Sequence, residues 1–211
     1  DIALTRLKLQ YREELVSYPD KKKKGAIVQK TLGQLVQKRA ISPKQGALLF
    51  KIVNYFKPVH ILQIGTNMGL SPLYLPSYAS GLQCIALESN PAFASVARET
   101  FKQARNPIDL REGDYTDLLP KALEDMEAVD FVYFNMQDDD ICCSSLFNKC
   151  VEQTHQNSVF GFKGIKSSPK MRIAWKEICS HPKVTVTMDL YALGIVLFND
   201  KLHKRNYITY Y

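Results

Sequence analysis

The stretch Ile61-Leu62-Gln63-Ile64-Gly65-Thr66-Asn67-Met68-Gly69 decides the fold. It reads as a short apolar strand running into a glycine turn, and Ser71-Pro72 just beyond is a pair suited to starting a helix. Glycine lets backbone approach a ligand closely, and a helix start presents free N–H groups at the positive end of its dipole. Asn67 sits inside the turn, and asparagine is the residue that best tolerates a left-handed conformation where glycine is missing.

Outward from this turn, strand and helix patterns alternate, which is the signature of βαβ units and a parallel sheet. Strands are expected at 60–64, 83–87, 108–112, 131–134 and 159–162, with helices near 71–78, 91–104, 119–123 and 140–153. Two more strand-like segments, 184–190 and 194–198, lie only a few residues apart. A parallel crossover needs a dozen or more linking residues, so these two should form an antiparallel hairpin closing one edge. The closing Tyr207 to Tyr211 alternates and could add a last edge strand. The expected fold is α/β, a Rossmann-like three-layer sandwich whose mostly parallel seven-stranded sheet ends in that hairpin.

Ahead of this domain, assigned to 58–211, residues 1–57 read as a helical segment packing on it. Leu4, Leu7, Tyr11 and Leu15 recur at helical spacing up to Tyr18-Pro19. A second helix is expected over 26–39. A third starts at the cap Ser42-Pro43 and carries Leu48, Leu49, Ile52, Val53 and Phe56.

With 45% hydrophobic and 23% charged residues the composition is that of a soluble globular protein, and no apolar run approaches the roughly 18 residues of a membrane span. The first residues show no secretory signal. Five cysteines, Cys84, Cys142, Cys143, Cys150 and Cys179, are odd in number and without C-x-x-C spacing, so buried reduced thiols and a cytoplasmic location are expected. Residues 1–57 hold 13 Lys and Arg against 4 acids, a charge of +9, which leaves −2 of the total +7 for the rest. The run Lys21 to Lys24 has no interleaved aromatics and reads as a solvated loop, with nucleic-acid contact as the alternative.

The strand at 83–87 ends in Glu88, 23 positions after Gly65, where a dinucleotide-type fold places its ribose-binding acid. The next strand ends in Arg111-Glu112-Gly113-Asp114-Tyr115, offering a carboxylate for an adenine amino group and an aromatic wall. All three elements lie at carboxyl ends of strands, where open α/β sheets bind ligands. Gly65 and Gly69 are four apart, whereas a nicotinamide fingerprint wants its third glycine at the position of Leu70, which favours a methyl-donor cofactor over NAD.

From about Pro43 onward these residues resemble the class I S-adenosylmethionine-dependent methyltransferases, and among them the small-molecule O-methyltransferases of the catechol type. The loop, Glu88, Gly113-Asp114 and the hairpin through Asp189 and Gly194 carry the likeness. The segments 53–58 and 181–187 are similar to uncharacterised bacterial members. The resemblance implies S-adenosylmethionine held by Gly65, Asn67 and Gly69 near its methionine part, by Glu88 at the ribose and by Asp114 near the adenine. Thr66, Ser71, Ser89, Tyr115 and Asn135 line the same site. It also implies direct in-line transfer to a small molecule, in which the protein aligns a nucleophile and removes its proton. The front helices could cap the substrate pocket or form a homodimer interface.

Metal-using members of this family hold magnesium through an Asp after the fourth strand and an acidic pair after the fifth. Here those places carry Asn135 and Lys163-Gly164. An amide holds a hard cation poorly and an ammonium repels it, so no metal is expected. Lys163 could instead supply positive charge to a substrate oxyanion, with Asp138 as proton acceptor. The run Asp138-Asp139-Asp140 is equally a helix N-cap. The alternatives are a catalytically silent adenosylmethionine-binding protein, an RNA-modifying methyltransferase suggested by the basic front, and a nicotinamide oxidoreductase. His155 and His181 read as loop or helix-end residues and Trp175 as core.

Overall fold

The computed structural model describes residues 1–19, 26–136 and 143–209. The chain opens with helix α1 (Ile2–Gln10), then an antiparallel pair, β1 (Leu15–Pro19) and β2 (Ile27–Thr31), and helices α2 (Leu32–Arg39) and α3 (Pro43–Phe56). Thr31 and Ser42 start these two helices with capping boxes, each hydroxyl accepting the N–H of a Gln whose side chain accepts the cap's own N–H. Strand and helix then alternate through β3 (His60–Ile64), a 3-10 turn at Pro76–Tyr78, β4 (Gln83–Glu88), α4 (Pro91–Phe101), β5 (Asp109–Glu112) and α5 (Tyr115–Glu124). The second half contains β6 (Phe131–Phe134), α6 (Cys143–Val151), β7 (Val159–Lys163), α7 (Pro169–Ser180), β8 (Val186–Asp189), β9 (Leu193–Leu197) and β10 (Arg205–Ile208).

The main sheet runs β5-β4-β3-β6-β7-β9-β8-β10, with β9 alone antiparallel to its neighbours. Chain order reverses between β3 and β6, so a crevice opens there at the carboxyl ends of the strands. Helices α5, α6 and α7 pack on one face, over Leu62, Ile85, Val132, Phe134 and Phe160. On the other face α3 covers Ile61, Phe131, Tyr133 and Val159. A third cluster joins α1, β1, α2 and α4 to Met68, Leu70 and Leu73, so the front segment sits directly on the stretch that follows the glycine turn. Trp175 is buried against β9, where a Cβ on Gly194 would come within 2.5 Å of its ring.

The amino ends of β3, β6 and β7 are tied together by one carboxylate. Asp130 accepts the N–H groups of Val59 at 2.6 Å and His60 at 2.8 Å, and its other oxygen lies 2.7 Å from His155 Nε2. Burial alone would raise the Asp130 pKa. The hydrogen bonds from His60, His155 and Val59 outweigh it and hold the carboxyl below its usual range.

Four expectations change. The sheet has eight strands, not seven: the expected antiparallel hairpin forms from β8 and β9, with β9 between β7 and β8, and β10 pairs beside β8 as the last edge strand. Leu193 and Ile195 face one core and Val196 the other, so β9 must be interior, while β10 is exposed throughout and suits an edge. The front is not wholly helical. Val16 and Tyr18 point inward at strand spacing, and β1 with β2 replaces the expected ends of two helices. The stripe Leu4, Leu7, Tyr11 and Leu15 is 48–78% exposed, because α1 buries Thr5, Arg6 and Leu9 instead. Finally, 71–78 forms turns and the 3-10 turn, not an α-helix. Pro76 lacks the N–H that an α-helix begun at Ser71-Pro72 would need there, and it disfavours the helical region for Leu75.

Cys84, Cys143 and Cys150 are buried and Cys179 half-buried, while Cys142, Lys21 to Lys24 and Asp138 to Asp140 lie outside the described residues. Among the described residues no helix is long and apolar enough to cross a membrane.

Candidate functional site

Strand β3 delivers Gly65 at φ +81°, Asn67 at +51° and Gly69 at +80°. The left-handed asparagine expected from the sequence is therefore present. Its side-chain amide donates to the carbonyls of Gly65 at 3.3 Å and Asn135 at 3.2 Å, which offsets the cost of that backbone. A Cβ on Gly65 would stand 2.7 Å from the Asn135 carbonyl oxygen, so the turn presses against the end of β6. At Gly69 the close neighbours are Phe101 and Ala97 of α4, which makes this glycine a packing requirement.

Glu88 at the end of β4 is 3% exposed. One carboxylate oxygen accepts the Asn67 N–H at 2.6 Å and the other the Asn90 N–H at 2.9 Å. The N–H groups of Gly65 and Thr66 go to the Leu87 carbonyl, and that of Gly69 to Thr66. The N–H groups of Gly65, Thr66, Asn67 and Gly69 are thus engaged within the protein, in place of the free helix-start amides that the sequence suggested.

Under the turn lies a polar network that sequence reading missed. Gln63 is fully buried in β3 and donates to Ser71 Oγ at 2.7 Å, and Asn135 Nδ2 reaches the same oxygen at 3.4 Å. Three side-chain oxygens here are buried without a partner among the described residues: Gln63 Oε1, Thr66 Oγ1 and Asn135 Oδ1. The signal was available, since a glutamine inside an otherwise apolar parallel strand must find partners. Asp114 caps α5 through the N–H and hydroxyl of Thr116, which keep its carboxyl below the usual range. Tyr115 is buried in the main core, and that burial, with Glu88 nearby, raises its pKa even though Ser89 hydrogen-bonds it.

Along the carboxyl edge Asp114, Glu88, Gly65, Asn135 and Lys163 follow one another on or just past β5, β4, β3, β6 and β7. Lys163 stands two strands from Gly65, about 10 Å at ordinary strand spacing. Its Nζ donates to the Arg39 carbonyl at 2.5 Å. Burial, then repulsion from Arg39 and Arg6, lowers its pKa to about 7. Nothing in the sequence placed Arg6 and Arg39 beside it, because they are brought there by the front segment. Among the described residues no three His, Cys, Asp or Glu side chains converge to hold a metal ion.

No family model matches the sequence. A 100-residue stretch is 28% identical to catechol O-methyltransferase B of Danio rerio, covering 45% of this chain and 38% of that protein. The chain spans about two fifths of the length of the curated relatives it matches. Among solved structures, the O-methyltransferase from Bacillus cereus in complex with SAH superposes with a TM-score of 0.63 at 20% identity, over 75% of this chain and 83% of that one. A cofactor-bound MTB protein superposes with a TM-score of 0.66 at 17% identity, over 94% and 89% of the two chains. The fold is the Rossmann-like fold of these methyltransferase structures.

Proposed function

We propose that the chain is an S-adenosylmethionine-dependent O-methyltransferase that acts on a small molecule without a divalent metal. The observation that carries this reading is the order of groups on one sheet edge, with a carboxylate, a left-handed glycine turn, an amide and a lysine on successive strands. Buried oxygens of Thr66 and Asn135 without partners fit a polar ligand laid across the turn, since orphaned groups of this kind are costly unless something meets them. Glu88, whose two oxygens each accept a backbone N–H beside the turn, is the carboxylate that would meet a ribose hydroxyl.

S-Adenosylmethionine bound there supplies a methyl group already activated by its sulfonium. The chain's own work is alignment and proton removal. Lys163 at the far end of the row disfavours a cation and stabilises negative charge on an acceptor oxygen. Because its pKa is lowered to about 7, the neutral amine is also populated and can take the acceptor's proton. Asp138, the other candidate acceptor, lies outside the described residues.

One observation favours a second reading, a silent adenosylmethionine-binding protein: the turn amides already have partners and no helix starts at Ser71. Calorimetry with S-adenosylhomocysteine, followed by turnover on phenols, amines and carboxylates, separates the two. Binding with methylated product supports the enzyme. Binding without any product supports the silent protein, and no binding overturns both.

A further inference from the structure

The main sheet ends in β10, whose outer side has no strand beside it among the described residues. All four of its residues are exposed, Tyr207 by 47% and Ile208 by 75%. The Arg205 N–H donates to the Thr185 carbonyl at 2.8 Å and the Thr209 N–H to the Asp189 carbonyl at 2.9 Å. Residues 205, 207 and 209 therefore turn their backbone groups toward β8, and strand alternation turns those of Asn206 and Ile208 outward. An open row of this kind is a template for another strand.

Chains commonly blunt such an edge with charge. Lys204, next to the strand, is instead bent back, and its Nζ donates to the Ser180 and His181 carbonyls at the end of α7, at 3.2 and 3.1 Å. Arg205 is the one cation within β10 and stands at its start, while residues 206–209 carry no charge. That lopsided pattern selects the incoming strand. A second copy running antiparallel about a two-fold axis at Tyr207 sets Asn206 opposite Ile208, and each such pair exchanges two main-chain hydrogen bonds. It also sets Arg205 opposite the uncharged Thr209 and the two Tyr207 rings side by side, so no like charges meet. A parallel copy in the same register would set Arg205 beside Arg205.

We infer that β10 is a self-association edge, at which two copies of this chain join their sheets antiparallel through Asn206, Tyr207 and Ile208. The strand is short, which places the contact among weak, concentration-dependent interfaces. Strand β10 runs in the same direction as β8 and hence as β7, which ends in Lys163. Antiparallel joining therefore points the two carboxyl edges in opposite directions, and each copy keeps its own crevice open. Such pairing is independent of methyl transfer.

Sedimentation equilibrium on the full chain, from about 1 to about 500 µM, tests it. The mass should rise from monomer toward dimer and no further, because a two-fold contact closes on itself. Ile208→Pro removes an outward N–H without touching the ladder to β8, and should weaken association at least about tenfold. Tyr207→Lys sets like charges together on the axis and should do the same. Thr209→Glu places a carboxylate opposite Arg205 in both halves of the contact and should tighten it several-fold. Thermal unfolding of each variant at the lowest concentration checks the monomer. Should Ile208→Pro fail to fold, the opposite shifts of Tyr207→Lys and Thr209→Glu decide the same question. Monomer mass at every concentration overturns the inference, as would follow if the edge served a different protein. A dimer unmoved by Tyr207→Lys and Thr209→Glu overturns it as well, the result expected if the exposed Leu4 and Leu7 of α1 made the contact.

Discussion

The backbone N–H of Asn67 donates to Glu88 Oε2 at 2.6 Å, so the acid at the end of one strand fixes the left-handed residue at the end of the next. Glu88→Gln keeps the shape but turns one accepting oxygen into a donor facing an N–H. The expected loss is about 1–3 kcal/mol of stability, read by urea denaturation, together with weakened S-adenosylhomocysteine binding. An unchanged midpoint and unchanged affinity would show that the carboxylate neither holds the turn nor meets the ligand.

The turn also distinguishes two replacements of Asn67. Alanine keeps the left-handed strain and loses both amide hydrogen bonds, which should cost about 2 kcal/mol or more. Glycine loses the same bonds but relieves the strain, so Asn67→Gly should be the milder change by about 1 kcal/mol. Gly65→Ala should be worse than either, because its Cβ would lie 2.7 Å from a backbone carbonyl oxygen. Thermal denaturation of the three variants gives the order directly.

Much of this was legible in the sequence. The glycine turn, both ends of β3 and β6, and the left-handed Asn67 follow from apolar runs and from the conformational preferences of glycine and asparagine. The missing helix after Ser71 was also encoded, in Pro76, but the favourable Ser-Pro start drew attention from it. Arg6 and Arg39 were not legible. Their proximity to Lys163 arises from tertiary packing across more than a hundred residues, and the exposed Leu4 and Leu7 pointed to the wrong face of α1.

Lys163 predicts a pH dependence of stability. Its folded pKa lies near 7, below the ordinary 10.5, so the unfolded chain binds more protons between those values. The penalty of the buried ammonium is therefore complete below pH 7 and is relieved as pH rises toward 10.5. Relative to Lys163→Met, the unaltered chain should gain stability across that window with a slope of at most about 1.4 kcal/mol per pH unit. A flat difference between pH 7 and 10 would show that the lysine is not perturbed.

Asp130 predicts the opposite arm. Its folded pKa is depressed, so its contribution is present above the ordinary carboxyl value of 3.8 and is lost as pH falls below it through the folded value. Asp130→Ala removes the acceptor for two strand-end amides and for His155, and should cost about 2–3 kcal/mol at neutral pH. The gap between variant and parent should narrow in acid, as urea midpoints measured from pH 6 down to 2.5 would reveal.

Trp175 is the single tryptophan of the chain, and the space left by Gly194 lets its ring pack against β9, beside the strand that ends in Lys163. The protein therefore carries one indole fluorophore, shielded from water when folded and selectively excited at wavelengths its tyrosines do not absorb. Its emission should shift to longer wavelength on unfolding, so one optical signal can follow every titration above without a label.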